Sequence, residues 1–286
     1  MKQIDDNIFA IDGKPIKCKE LKAVHKLEKG VLRSPVSHSF SYKKYTITIN
    51  QMCTREIIIS SKDITNAEEL FNIHQNVENI LMIMEGFFVS IESIYFDNNS
   101  TVILRELSEK CIKYRLRCYC SDDCCKYFDH VFLDFEKYLD NTIFKNWVKL
   151  REEAGLMHQV FLYNMAKDTS PIDSKAAFLI EMSEPLVELV KEHTVNCASL
   201  TPGERGTTLK MCLDSMITYY GKDIFKRELV DKNTYDNFLE KTVKTRVRVM
   251  HIKKKVEQGY YSKNEYLLYV IKFSFLYKTR TSANFV

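Results

Sequence analysis

In the first part of the chain, up to about residue 135, five runs favour strands. Residues 42–50 alternate β-branched and polar side chains, residues 56–59 are a second β-rich run, and residues 87–96, 101–107 and 112–120 have strand-like character. Between the second and third runs, apolar residues recur with the 3.6-residue period of a helix, which predicts a helix over residues 66–84. We therefore expect residues 1–135 to form a mixed, mainly β domain.

From residue 136 onward the pattern is helical throughout. Five helices are predicted, over residues 144–165, 171–190, 208–220, 234–254 and 262–277. Pro185 should kink the second of them because proline has no backbone N–H, and Gly221 should end the third. The predicted fold class is α+β, with the mainly β domain followed by an all-α helical bundle over residues 136–286.

Composition supports a folded chain of two domains. Of 286 residues, 45% are hydrophobic and 12% aromatic, which excludes a disordered or low-complexity protein. The N-terminal residues lack an apolar signal segment, and the chain contains no run of about 20 apolar residues that could span a membrane. Together with nine cysteines, an odd number that does not suggest a disulfide framework, these features predict a cytoplasmic protein without membrane contact.

The formal net charge of +4 says little about partners, but its distribution is uneven. A basic stretch between residues 241 and 255 contains no acidic residue. Its seven cationic side chains are Lys241, Lys244, Arg246, Arg248, Lys253, Lys254 and Lys255. Such a stretch is either a solvated helix face of a purely structural protein or a surface that binds nucleic acid.

Arg246 has an unusual position within this stretch. At about 100° per residue it falls in the middle of the apolar face of its helix, whereas Arg248 lies on the opposite face and His251 on the flank. The apolar face consists of Tyr235, Phe238, Leu239, Thr242, Val243 and Met250.

An arginine on such a face requires a partner, and two kinds of partner are open. One is a carboxylate of the protein, with Glu181, Glu184 and Asp214 as the candidates. The other is a substrate phosphate, with His251 nearby to transfer a proton near neutral pH.

Residues 241–251 (KTVKTRVRVMH) resemble the motif helix of HEPN-domain ribonucleases, in which four to six residues separate an arginine from a histidine. Here four residues separate Arg246 from His251. Trp147, the segment AFLIEMSEPLVELV, the turn YYGKDIF and the closing helix follow in the order expected of an Apea-like HEPN domain, over about residues 144–277. The preceding domain is more loosely similar to the strand-rich region that accompanies HEPN in Apea-type anti-phage proteins.

The resemblance implies a metal-independent RNA endonuclease that uses no cofactor. The ribose 2′-OH would attack the adjacent phosphate, which leaves a 2′,3′-cyclic phosphate and a 5′-OH, so DNA would not react. His251 would transfer the proton and Arg246 would stabilise charge on the phosphoryl oxygens. The expected RNA-binding side chains are Lys244, Arg248, Lys253, Lys254 and Lys255.

The resemblance also implies a biological setting: a toxic effector of a bacterial anti-phage system that acts by abortive infection. The chain would form a homodimer through its C-terminal helices, and the N-terminal domain would respond to a phage-derived trigger or a regulatory protein. One position departs from the family, because Val247 stands where many members have Asn, Asp or His. The alternative is therefore a non-catalytic HEPN module, a helical dimer that binds RNA or a protein partner.

Two further patterns carry less information. Cys118, Cys120, Cys124 and Cys125, near His130, have a spacing that differs from common zinc motifs, so buried thiols are the favoured interpretation and a metal site is the alternative. The histidines other than His251 stand singly and show no pattern. The sequence contains no phosphate-binding loop, dinucleotide fingerprint or serine-nucleophile motif.

Overall fold

The computed structural model of the protein describes most of both halves of the chain. The described residues are 9–11, 14–26, 35–52, 54–85, 91–97, 101–103, 133–166, 172–191, 200, 202, 207–222, 225 and 229–250. The chain divides into two compact units. Unit 1 comprises Met1–Val148 and Met165–Asp168, and unit 2 comprises Lys149–Asn164 and Thr169–Val286.

Unit 1 contains a six-stranded sheet in which every neighbouring pair is antiparallel. Two short strands, β1 (Ala10–Ile11) and β2 (Lys14–Pro15), pair separately. The large sheet has the order β4-β5-β6-β3-β7-β8. Its strands are β3 (Lys17–Lys26), β4 (Val36–Tyr42), β5 (Tyr45–Gln51), β6 (Thr54–Asn66), β7 (Ile91–Phe96) and β8 (Thr101–Ile103).

One face of the sheet is apolar because the strands alternate. Ile47 and Ile49 of β5 and Ile57 and Ile59 of β6 are fully buried, while the residues between them are exposed or half-buried. This face packs against helix α1 (Ala67–Glu85), which contacts β3 and β6. Burying each isoleucine contributes about 1.5–3 kcal/mol, so these cross-strand rows fix the register of the sheet.

A tight hairpin replaces the single strand predicted over residues 42–50. The chain turns at Lys43 and Lys44, and Tyr42 pairs with Tyr45. Lys43 has a φ of 53°, a left-handed conformation that turns usually obtain from glycine or asparagine. The prediction of a continuous strand was wrong because two lysines carry no signal for such a turn.

Two further helical segments complete the described part of unit 1. They are α2 (Phe135–Tyr138) and the beginning of α3 (Asn141–Ala166). Phe144 lies 5.4 Å from Phe40 and 5.0 Å from Tyr42, ring centre to ring centre, and the indole N–H of Trp147 donates to the Asn76 carbonyl oxygen at 2.9 Å. Residues 136–148, which the sequence analysis assigned to the C-terminal domain, thus lie in unit 1, because their large aromatic side chains pack there.

The regular elements in the described part of unit 2 are all helices. They are residues 149–164 of α3, followed by α4 (Ile172–Glu181), α5 (Ser183–Val190), α6 (Leu209–Tyr220) and α7 (Lys232–Met250). Helix α7 packs against α4 and α6, while α5 packs against α4 and α6. The four helices thus contact one another in a closed ring. The predicted start and end of α6 are confirmed: the Thr208 hydroxyl accepts from the Met211 N–H, and the Gly221 N–H donates to the Ile217 carbonyl oxygen.

Two interruptions divide the longer helices of unit 2. Gly155 has φ 49° and ψ −121°, so it introduces a kink into α3 that only glycine adopts readily. The predicted kink near Pro185 is a break at Met182 between α4 and α5. Proline has no N–H to donate to the carbonyl oxygen four residues earlier, that of Glu181, so α4 ends there.

The α+β prediction is confirmed at the level of an antiparallel sheet followed by helices. Several predicted elements, namely residues 104–107, the strand at 112–120 and the helix at 262–277, lie outside the described residues. In the described ranges, no helix combines the length and apolar character needed to cross a membrane.

Candidate functional site

Helix α7 carries the described part of the predicted site. It begins two residues before the predicted start at Thr234, because the Asp231 carboxylate caps it. That carboxylate accepts the Thr234 backbone N–H at 2.8 Å and the Thr234 hydroxyl at 2.7 Å. Both bonds lower the pKa of Asp231, and the bond from the Thr234 hydroxyl has the larger effect.

The apolar face predicted for α7 is confirmed in its central turns. Phe238, Leu239 and Thr242 are buried, and Phe238 packs against Phe225 with ring centres 5.4 Å apart. The Thr242 hydroxyl donates to the Phe238 carbonyl oxygen at 2.9 Å. Arg246 continues this face one turn later, where it is half-buried.

Glu181, at the end of α4, holds the Arg246 guanidinium in a two-point contact. Nε of Arg246 donates to Oε2 of Glu181 at 2.5 Å and Nη2 donates to Oε1 at 2.7 Å. A planar guanidinium matches a carboxylate in this geometry, which fixes its orientation more firmly than a lysine contact would. Of the carboxylates that the sequence offered as partners, Glu181 is therefore the one used.

The contact between Arg246 and Glu181 is only partly shielded from water. The Arg246 side chain is 27% exposed and that of Glu181 is 41% exposed. The hydrogen bonds that Arg246 donates to Glu181 are the main cause that raises the pKa of Arg246, with smaller electrostatic contributions from Glu181 and Glu184 and an opposing effect of burial. Arg246 is thus a permanent cation close to the surface.

Asp214 has a different role. It accepts a hydrogen bond of 2.7 Å from the Tyr235 hydroxyl, which joins α6 to α7. Burial, followed by this bond, raises the pKa of Tyr235. The pair of Tyr235 and Asp214 is a structural contact between helices. Arg246 pairs with Glu181 instead of Asp214.

Of the other predicted site residues, Lys244 is the one whose side chain is described. It is 64% exposed, and its Nζ lies 3.6 Å from Glu240 Oε2 one turn earlier. Arg248 belongs to α7, but its side chain is outside the described residues, as are His251, Lys253, Lys254 and Lys255. Whether Arg246 and His251 form a site together stays a prediction.

Val247 is exposed to 41% at the position where the resemblance expects a polar side chain. Phe178 of α4, one turn before Glu181, is exposed to 45%. The surroundings of the Arg246–Glu181 contact are therefore partly apolar on both helices.

A cluster of buried polar side chains in unit 1 was missed by the sequence analysis. His25 of β3 and His74 of α1 are buried with their Nε2 atoms 3.1 Å apart, and Nδ1 of His25 lies 3.9 Å from Glu78 Oε1. Nearby, Arg55 contacts Glu85 at 2.7 Å. The prediction that these histidines stand singly was wrong, because β3 and α1 each place a histidine on their buried face.

Among the residues described, no group of three or more His, Cys, Asp or Glu side chains is arranged to hold a metal ion. The cluster of Cys118, Cys120, Cys124 and Cys125, with His130, lies outside the described residues, so its interpretation as thiols stays a prediction.

Comparison with protein-family models, with curated proteins and with solved structures finds no match to this chain.

Proposed function

We propose that unit 2 is an HEPN-type endoribonuclease that cuts RNA without a metal, with Arg246 and His251 as its catalytic residues. The observation that carries the proposal is the Arg246 guanidinium, which a two-point contact orients and which still reaches the surface. An ion pair with this exposure contributes only about 0–1 kcal/mol to stability, so stability alone is a weak reason for an arginine on this face.

The remaining donors of Arg246 suit a phosphate. Its contact with Glu181 uses Nε and one N–H of Nη2, which are two of the five N–H groups of a guanidinium. The other three, on Nη1 and Nη2, can donate to phosphoryl oxygens while Glu181 keeps the group oriented. Such a preorganised cation stabilises the charge that develops as the 2′-OH attacks phosphorus.

His251 is proposed to transfer the proton in this reaction. It follows Met250, the last residue of α7, by one position, so it lies five residues from Arg246 along the chain. Histidine can remove the 2′-OH proton or protonate the leaving 5′ oxygen near neutral pH. Lys244, Arg248, Lys253, Lys254 and Lys255 would contact the RNA backbone.

The proposal extends to a homodimer through the C-terminal helices and to a toxic effector in bacterial anti-phage defence, in the cytoplasm. Both rest on the resemblance to HEPN-domain ribonucleases. In that setting, unit 1 would respond to a phage-derived trigger or a regulatory protein.

A specific observation favours a second candidate, a non-catalytic module that binds RNA or a protein partner. Val247, the residue after Arg246, exposes an apolar side chain where a polar one would help to position a substrate, and Phe178, one turn before Glu181, is also exposed. An arginine flanked by exposed apolar groups is also common at protein interfaces.

A cleavage assay on the full chain separates the two candidates. We expect the wild-type protein to cut single-stranded RNA in excess EDTA and to leave 2′,3′-cyclic phosphate ends, whereas His251→Ala should not cut. DNA of the same sequence is the matched substrate control, since it lacks the 2′-OH.

The possible results have distinct meanings. Cleavage that stops on chelation and returns with Mg²⁺ would contradict the metal-free mechanism. RNA binding that weakens with salt, without any cleavage, would favour the binding module instead.

A further inference from the structure

Strand β4 forms a long open edge of the six-stranded sheet. Among the described strands it pairs with β5 alone. The register is uninterrupted: Val36 pairs with Gln51 at one end and Tyr42 pairs with Tyr45 at the other. In the described part of the chain, no backbone hydrogen bond is made across its outer side. Because an antiparallel strand directs every second residue's N–H and C=O away from its neighbour, this edge presents unpaired backbone groups.

Proteins often protect such edges with charged side chains, prolines or bulges, and β4 has none of these three. Its seven residues, VSHSFSY, include no charged side chain and no proline, and its pairing with β5 contains no bulge. The open edge is thus suited to accept another strand.

The two sides of β4 differ in character. Ser37, Ser39 and Ser41 are exposed on one face of the sheet. On the other face, His38 lies 6.1 Å from Phe135 and Phe40 lies 5.4 Å from Phe144, ring centre to ring centre. The hydroxyl face already forms cross-strand bonds with β5, such as the contact of 2.9 Å between Ser39 and Thr48.

We propose that a second copy of this chain pairs with the β4 edge, antiparallel and about a two-fold axis at Ser39. This register places Ser39 opposite Ser39 of the second copy, and Ser37 opposite Ser41 of the second copy. On the other face, His38 meets Phe40 of the second copy and Val36 meets Tyr42 of the second copy. The register therefore pairs hydroxyl with hydroxyl and aromatic or apolar side chains with one another, and it sets no like charges opposite each other.

Self-complementarity favours a second copy over a foreign strand. A two-fold axis at Ser39 brings the serine faces of the two β4 strands to one side of the joined sheet and their aromatic faces to the other. The new pair is antiparallel, like all the other pairs of the six-stranded sheet. The interface is separate from the C-terminal helices and does not depend on the proposed nuclease.

Hydrogen–deuterium exchange on the full chain tests the pairing, with the peptide covering residues 36–42 as the readout. In the wild type, its amides should exchange more slowly at high than at low protein concentration. Ser39→Lys or Ser39→Glu alone should remove this protection, because each sets like charges directly opposite each other. An equimolar mixture of the two variants should restore it, because Lys and Glu then face each other.

Thr46→Lys is the matched control, since Thr46 is exposed on the same sheet face but lies on the interior strand β5. It should keep the concentration-dependent protection. Exchange that is independent of concentration in the wild type would overturn the proposal. So would a Ser39→Lys protein as protected as the wild type, which would indicate an edge closed by the chain itself, or a mixture that fails to regain protection.

Discussion

Replacing Arg246 by alanine separates a catalytic arginine from one that only stabilises the fold. The substitution removes the guanidinium that donates to Glu181 at 2.5 and 2.7 Å. The two roles predict different sizes for two measurable effects, the fall in melting temperature and the fall in cleavage rate.

The expected loss of stability follows from exposure. With side chains 27% and 41% exposed, the pair of Arg246 and Glu181 contributes about 0–1 kcal/mol. For a chain of this size, that corresponds to a fall in melting temperature of up to about 4 °C. A fully buried pair would behave otherwise: loss of one partner costs about 3–5 kcal/mol, or roughly 6–20 °C.

The expected loss of activity is much larger. Removing a preorganised donor from a developing oxyanion typically costs about 10²–10³ in rate. Glu181→Gln is the matched control, because it removes the same ion pair but leaves the guanidinium in place. It should melt like Arg246→Ala and retain more cleavage.

Calorimetry and RNA cleavage measured on the same samples decide the question. An Arg246→Ala protein that cuts RNA at the wild-type rate would refute the catalytic assignment. A large fall in melting temperature would refute the reasoning from exposure and would indicate a structural role.

Two further predictions concern folding. His158 of α3 is buried. Burial, followed by the charge of Arg151, lowers its pKa from 6.5 to about 3. The unfolded chain therefore protonates this imidazole at a higher pH than the folded chain does. The free energy of unfolding should therefore fall as pH decreases from about 6.5 towards 3, by at most about 1.4 kcal/mol per pH unit. Denaturant titrations of His158→Leu should show a shallower dependence of this free energy on pH. An unchanged slope would contradict this account. Asp231→Ala should lower the melting temperature by removing the cap of α7, whereas Asp231→Asn, which keeps an acceptor, should melt close to wild type above pH 5; equal melting of all three proteins would show that the cap is not stabilising.

The sequence predicts those parts of the fold in which one residue pattern dominates. Helix α1 and the alternating burial of β5 follow directly from hydrophobic periodicity, and the ends of α6 follow from Thr208 and Gly221. The turn at Lys43–Lys44 could not be predicted, because its conformation depends on the pairing of the flanking strands and not on the two residues themselves. The start of α7 was misplaced because Asp231 was not identified as a cap.

Polar residues at buried positions were harder to interpret, since their partners come from distant parts of the chain. His74 and Glu78 are four residues apart on the buried face of α1, a spacing visible in the sequence, but the match with His25 depends on the packing of α1 against β3. The partner of Arg246 was one of three candidate carboxylates for the same reason. Glu181 is the partner among these three carboxylates because it lies at the end of α4, the helix that packs against α7.

The break between α4 and α5 has a direct consequence for the candidate site. Because Pro185 cannot donate to the Glu181 carbonyl oxygen, α4 stops at Glu181. The last residue of α4 therefore carries the carboxylate that the Arg246 guanidinium of α7 contacts. The proline therefore contributes to the position of the arginine. In the proposed function, a phosphate would share the cation without first displacing Glu181, since both side chains are partly exposed.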